Sequence, residues 1–279
     1  MADRLEALLH HFSVHARIFH SGALCGINDL PAVADVGQLH LVRSGQVEVG
    51  HDDGTALRIT DPSLLLYPRP MKHRFVTDTE RGADLACANL YFDGGVANPV
   101  AAALPAFICL PLAMIEGAEG VLTLLFDEAF NQRCGRRALV DRLFEVVLIQ
   151  VLRHLMETNQ IRAGMLAGMA HPKLRNALVA MHEQPADEWP LEALAEAAGM
   201  SRSVFANAFR DIVGCTPGAY LQSWRVGLAQ QGLRHGQSLK MIAVDVGYGS
   251  EAALSRAFKA QSGLTPREWK QAQARSAAG

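Results

Sequence analysis

From residue 14 to residue 92 apolar and polar positions alternate in short runs, the period of a half-buried strand. Residues 14–19, 38–43, 46–49, 56–59, 64–67, 73–76 and 85–92 fit that pattern. Turn residues separate them: Ser44-Gly45, the hairpin signal Asp52-Asp53-Gly54, Asp61-Pro62, and Pro68-Arg69-Pro70. Many short strands at close spacing predict a small barrel or jelly roll. The period then lengthens to that of a helix. Residues 118–131 carry Val121, Leu122, Leu125, Phe126 and Phe130. Residues 136–157 carry Leu139, Leu143, Val146, Val147, Ile149, Leu152 and Met156, apolar around much of the circumference. Such a helix is buried within a domain or against a second subunit. Residues 161–168 contain two glycines and no cap, and read as a linker.

The last ~90 residues hold one pattern twice. One copy runs Leu194-Ala195-Glu196-Ala197-Ala198-Gly199-Met200, then Phe205, Phe209, Gly214 and Thr216-Pro217. The other runs Ile242-Ala243-Val244-Asp245-Val246-Gly247-Tyr248, then Leu254, Phe258, Gly263 and Thr265-Pro266. The offset is 48 up to the glycine turn and 49 beyond it, so the second turn holds one extra residue. Each copy reads as a short helix, a glycine turn and a second amphipathic helix, the pattern of a helix-turn-helix. Ser201 and Ser250 stand where each second helix starts and are expected to cap it. Val204, Phe205, Phe209 and Ile212 are expected to form the buried stripe of the first, with Leu254 and Phe258 in the second. The positions left outside are Arg202, Ser203, Ala206, Asn207 and Arg210, then Glu251, Ala252, Ser255, Arg256 and Lys259. Small, polar and basic residues on one face suit a DNA major groove.

Charge sharpens this reading. The chain is close to neutral, with 26 Lys+Arg against 28 Asp+Glu. Residues 1–170 hold 14 basic and 19 acidic residues, whereas residues 200–279 hold 10 and 4. A basic bias confined to the repeat is the electrostatic footprint of a nucleic-acid module. No run of about 18 uncharged apolar residues suggests a membrane span, and the N-terminus has no signal-peptide core, so a cytoplasmic protein is expected. No Ser-His-Asp arrangement, phosphate-binding glycine loop or paired-carboxylate constellation stands out, so no enzyme is expected.

The landmarks Ser201–Phe205, Phe209-Arg210, Gly214-Cys215-Thr216-Pro217, Tyr220-Leu221 and Trp224-Arg225 resemble the AraC/XylS family of bacterial transcription regulators. Their counterparts Ile242-Ala243, Val246-Gly247-Tyr248, Ser250-Glu251, Phe258-Lys259 and Thr265-Pro266 extend the resemblance over residues 171–272. It implies that Arg202, Ser203, Ala206 and Asn207 read bases from the first helix, and Glu251, Ala252, Ala253 and Arg256 from the second. Arg210, Thr216, Lys240 and Lys259 would touch phosphates, which position the protein without specifying sequence. The family often has Arg where Asn207 stands. Asn suits adenine and Arg suits guanine, so Arg256 is the expected guanine reader.

Upstream, the order His40, Gly45, Asp61-Pro62, Leu66–Pro70 and His73 is similar to a cupin, although cupins usually have Gly-Asp at Asp61-Pro62. The two resemblances together imply an α+β multidomain chain. Its expected parts are a cupin-like β-barrel or jelly-roll sensor (1–112), a helical dimerisation segment (113–160) with Leu143 and Val147 at the partner, a linker (161–170), and an all-α tandem helix-turn-helix (171–272). Promoter DNA, RNA polymerase, a second copy and a small-molecule or oxidant effector are the implied partners, with activation the implied output. Metal-binding cupins use more ligands than His40 and His73, and Glu48 joins them only if the strand register permits. No metal is expected, and zinc or another divalent ion stays open only if Cys25 or Cys87 completes the set. The spacing of Cys25, Cys87, Cys109, Cys134 and Cys215 matches no zinc finger. Cys25 and Cys87 are similar in placement to a cupin-type regulator that senses reactive chlorine by cysteine oxidation. With His40 and His73 they form the expected sensing set, against the alternative of structural cysteines and a small-molecule pocket.

Overall fold

The computed structural model describes residues 3–158 and 160–276; Met1 and Ala2 of the predicted sensor and Asn159 of the predicted helical segment lie outside them. The chain forms two compact units, Ser13–Ile161 and Met1–Phe12 together with Arg162–Gly279. Helix α1 (Glu6–His11) belongs to the second.

The Ser13–Ile161 unit has strands β1 (Val14–Leu24), β2 (Ile27–Leu30), β3 (Val36–Ser44), β4 (Val47–His51), β5 (Ala56–Ile59), β6 (Ser63–Tyr67), β7 (His73–Thr77), β8 (Ala83–Phe92) and β9 (Ile108–Pro111). They make a five-stranded sheet in the order β1-β8-β3-β6-β9 and a four-stranded sheet β2-β7-β4-β5. One core draws on both sheets: Val42, Leu65, Tyr67, Leu85 and Cys87 from the first, Val47, Val49, Ile59 and Phe75 from the second. The predicted strands are all present, and the β4–β5 hairpin turns at Gly54, whose φ of 81° favours glycine. Strands β2 and β9 were not expected. They are short, and β2 exposes Ile27, so their alternation carries little signal.

Helices α2 (Pro99–Ala103), α3 (Glu119–Phe130) and α4 (Arg136–Glu157) complete the unit. β1 lies at a sheet edge, where unpaired amides invite association. Here α4 occupies that edge with side chains. The Ala16 amide donates to Glu145 Oε1 at 3.1 Å, and the Ile18 amide donates to Asp141 Oδ1 at 2.7 Å. This packing corrects one expectation. Leu143 (8 % exposed) and Val147 (0 %) are buried within the unit and do not face a partner. The large apolar side chains that α4 leaves outside are Leu139 (41 %) and Val146 (38 %).

In the other unit α1 is followed by α5 (Met165–Ala170), α6 (Leu174–Glu183), α7 (Leu191–Ala197), α8 (Arg202–Val213), α9 (Pro217–Arg234), α10 (Leu239–Asp245), α11 (Glu251–Ser262) and α12 (Pro266–Ser276). Two boundaries differ from the expected ones. The first residues, expected to open the sensor, pack here: Leu5, Leu8 and Phe12 are buried, and Phe12 meets Trp224 edge-to-face at 5.1 Å. The stretch 161–170, expected as a linker, contains α5, in which Met165, Leu166 and Met169 are buried. Its glycines serve structure. A Cβ on Gly168 would stand 2.6 Å from Leu178 Cδ1, so glycine allows α5 to lie tight against α6. The Gly164 amide donates to the Ile212 carbonyl at 2.8 Å.

Candidate nucleic-acid interface and sensor core

Each half of the repeat builds a helix pair. In the first, α7 ends at Ala198 and the chain turns through Gly199 at φ 59°. α8 then buries Phe205, Phe209 and Val213. In the second, α10 ends at Val246 and turns through Gly247 at φ 75°, and α11 buries Leu254 and Phe258. A Cβ at Gly247 would overlap the Ala186 carbonyl, so only glycine lets this turn press against the loop before α7. Arg225 of α9 holds the same loop: its guanidinium donates to the carbonyls of Pro185 (2.6 Å) and Asp187 (2.8 Å). α9 joins the two pairs through a buried stripe that includes Tyr220, Trp224 and Leu228. Within it Tyr220 Oη lies 2.6 Å from His182 Nε2, and Trp224 stacks on His182 at 3.8 Å. Burial lowers the His182 pKa to about 3, which keeps this ring neutral.

Caps set where the helices start. Ser250 Oγ accepts from the Ala253 amide at 3.2 Å and Thr216 Oγ1 from the Ala219 amide at 3.3 Å. Thr265 and Glu268 form a reciprocal capping box on α12. Ser201 corrects its expectation. It holds the N-cap position with extended backbone, but its side chain makes no capping bond.

The predicted reading residues fall on two rows. On α8, Ser203, Asn207 and Arg210 are exposed and Ala206 is half-buried. Arg202 is also exposed, but its Nη1 pairs with Glu192 Oε1 of α7 at 2.6 Å. On α11, Glu251, Ala252, Arg256 and Lys259 are exposed and Ala253 is half-buried. Lys240 is exposed on α10, and Thr216 is exposed with its hydroxyl engaged as a cap. One residue was placed wrongly from sequence. Val204, expected in the buried stripe, is 55 % exposed. A helical wheel would have found it: Phe205 and Phe209 set the buried direction, and Val204 lies a full residue step, about 100°, away from Phe205.

In the sheet unit the sensing residues are brought together only in part. His40 of β3 and His73 of β7 are buried, with their Nε2 atoms 3.1 Å apart. His73 Nδ1 lies 3.0 Å from the Met71 carbonyl and donates to it, which leaves its Nε2 to accept from His40. Tyr67 stacks on His73 at 4.0 Å, and Phe75 lies 4.9 Å from His40. Burial, then the charge of His73, hold the His40 pKa well below the usual imidazole range; burial brings His73 to about 4. Both rings are therefore neutral at neutral pH.

The cross-strand register aligns His20, Cys87 and His40 in one row over β1, β8 and β3. That adjacency does not activate the sulfur, because full burial raises the Cys87 thiol pKa far above its ordinary value. Cys25 is exposed and follows β1, five residues beyond His20, the register partner of Cys87. At the rise of a strand this is roughly 16 Å, against the roughly 7 Å limit between Cα atoms of a disulfide. Cys25 and Cys87 are thus not a bonding pair in this fold. Nor do the residues fit a divalent metal. Glu48 is exposed, the two imidazole Nε2 atoms already bond each other, and no cluster of three or more His, Cys, Asp or Glu occurs among the described residues.

Comparisons with known proteins match the two units except at the start, where the cupin profile also takes in residues 3–12 of the helical unit. A family profile described as Cupin matches residues 3–157, and one described as Helix-turn-helix domain matches residues 194–272. The chain is 32 % identical to the HTH-type transcriptional regulator AlkR of Acinetobacter baylyi over 267 residues, covering 83 % of this chain and 87 % of the relative. It is 40 % identical to a putative AraC-like transcription regulator of Streptomyces antibioticus over 157 residues, covering 56 % of this chain and about half (52 %) of that protein. It is 26 % identical to the RCS-specific HTH-type transcriptional activator RclR of Escherichia coli, covering 83 % of each. Among the described residues no helix is long and apolar enough to cross a membrane.

Proposed function

The chain belongs to the AraC family of transcription regulators that carry an N-terminal cupin, a family of DNA-binding proteins, and from that membership we propose that it is a dimeric activator controlled by a signal at its cupin. The observation that carries the DNA half is the matched pair of outward rows on α8 and α11. They lie 49 residues apart in one compact unit, each centred on a polar side chain, Asn207 and Arg256. Activation through RNA polymerase follows from the family resemblance. Promoter-fused transcription reconstituted with purified polymerase tests it; a fall in transcript on adding the protein would make it a repressor.

The dimer would use the side of α4 turned away from β1. Leu139 and Val146, seven residues apart, put two exposed aliphatic side chains on one seam. Val146→Asp should convert a dimer to a monomer in sedimentation velocity while changing the unfolding free energy of the monomer by no more than about 0.5 kcal/mol. A dimer that persists in Val146→Asp would place the interface elsewhere.

A small molecule is one form the signal can take. A second reading, oxidation, is favoured by one observation, the exposure of Cys25 at the β1–β2 turn; one relative is named an RCS-specific HTH-type transcriptional activator. In this fold the oxidant would meet Cys25, not Cys87. Alkylation at neutral pH should modify Cys25 in the native protein and leave Cys87 protected until unfolding. Under the oxidant reading, one equivalent of hypochlorite changes DNA affinity in the wild type and not in Cys25→Ser. An equal response in both would remove Cys25 from the signal.

A further inference from the structure

On a helix surface the neighbours of a residue are those three and four positions away. For Asn207, on the N-terminal side, these are Val204 and Ser203. Val204 is 55 % exposed, on a helix that buries Phe205, Phe209 and Val213 and half-buries Ile212. The 49-residue offset places it opposite Ala253, a residue of the reading row of α11. Arg202 points elsewhere. Five residues from Asn207, it lies about 140° around the helix, and its guanidinium is held by Glu192. The outward face at the start of α8 therefore offers a hydroxyl, two methyl groups and a carboxamide, and no cation.

Each of these groups has a distinct partner in a major groove. A carboxamide pairs with adenine N6 and N7, and an aliphatic side chain packs on the thymine C5 methyl. We infer that Val204 is a specificity-determining residue that recognises a thymine methyl beside the adenine read by Asn207. The first helix pair then reads A·T pairs, and the second reads G·C through Arg256. The two modules of one chain differ in base chemistry, so the preferred site has a direction. This rests on the proposal that α8 and α11 are the reading helices.

The test uses the full-length protein and a duplex that it selects from a randomised 30-base-pair pool. Each thymine of that duplex is replaced in turn by deoxyuridine, which removes only the methyl. Burying one methyl contributes on the order of a fourfold change in affinity. Wild type should lose about three- to fivefold at one uracil position. Val204→Ala should lose about that much on the thymine duplex and show no further loss with uracil there. Val204→Thr, which keeps one methyl and the same branching, should fall between them. If the wild type selects no duplex, the reading-helix proposal fails. If it selects one but Val204→Ala shows the wild-type uracil profile at every position, Val204 does not read a methyl, and the reading helices stand without it.

Discussion

Arg256→Ala should cost about 1–3 kcal/mol of DNA-binding free energy, roughly 5- to 150-fold in affinity, with the loss confined to one base pair. Arg256 is exposed on α11 at the position that Asn207 holds on α8, and no salt bridge holds it among the described residues. Its guanidinium is free to make the bidentate contact with guanine O6 and N7 that a fork of donors permits. The variant should bind the selected site and a site mutated at that guanine equally well. Lys259, one turn later on the same helix, provides the contrast. A phosphate contact carries no base information, so Lys259→Ala should weaken all duplexes alike and lower the salt slope by about 1. Titrations of both variants against single-base changes separate the roles. Undiminished base preference in Arg256→Ala would remove the guanine assignment.

Gly247→Ala should destabilise the helical unit by about 2–4 kcal/mol, from left-handed backbone strain and a backbone overlap together. At φ 75° any Cβ is strained, and this one would also strike the Ala186 carbonyl. Relief requires the second turn to lift from the loop that Arg225 pins to α9. Gly236→Ala isolates the first term. It has φ 79° with open space around its Cβ position, so only the strain, about 1 kcal/mol, is expected. Urea midpoints of the two variants measure the difference. Equal midpoints would mean that the turn at Gly247 is not held against Ala186 in solution.

The features legible in the sequence were those written in local chemistry. Gly199 and Gly247 mark turns because a left-handed backbone excludes other side chains cheaply, and Phe205, Phe209 and Phe258 mark the buried direction by size. Asp53-Gly54 announced its hairpin in the same way. What was misread depended on contacts far along the chain. Gly164 and Gly168 looked like linker residues, yet Gly168 is a close-packing position set by Leu178 and Val213. Leu143 and Val147 looked like a partner-facing pair on an apolar helix. Both are buried within their own unit, by neighbours that do not declare themselves locally. Val204 is β-branched and sits beside Phe205, so composition alone put it inside; its angle on the helix puts it outside. Arg202, expected to read bases, pairs with Glu192 of the preceding helix, a contact that spacing in the sequence does not reveal. His40 and Cys87 share a register row over adjacent strands. The thiol is nevertheless governed by burial, which spacing in the sequence does not reveal.

Hydroxyl-radical footprinting of the full-length protein on its selected duplex tests directly whether one chain reads DNA with two helices. Two helices in successive major grooves predict two protected patches per chain, separated by about one helical turn, ~10 base pairs. A single patch per chain, with the rest of the site cleaved as in free DNA, would mean that only one helix pair reads the groove.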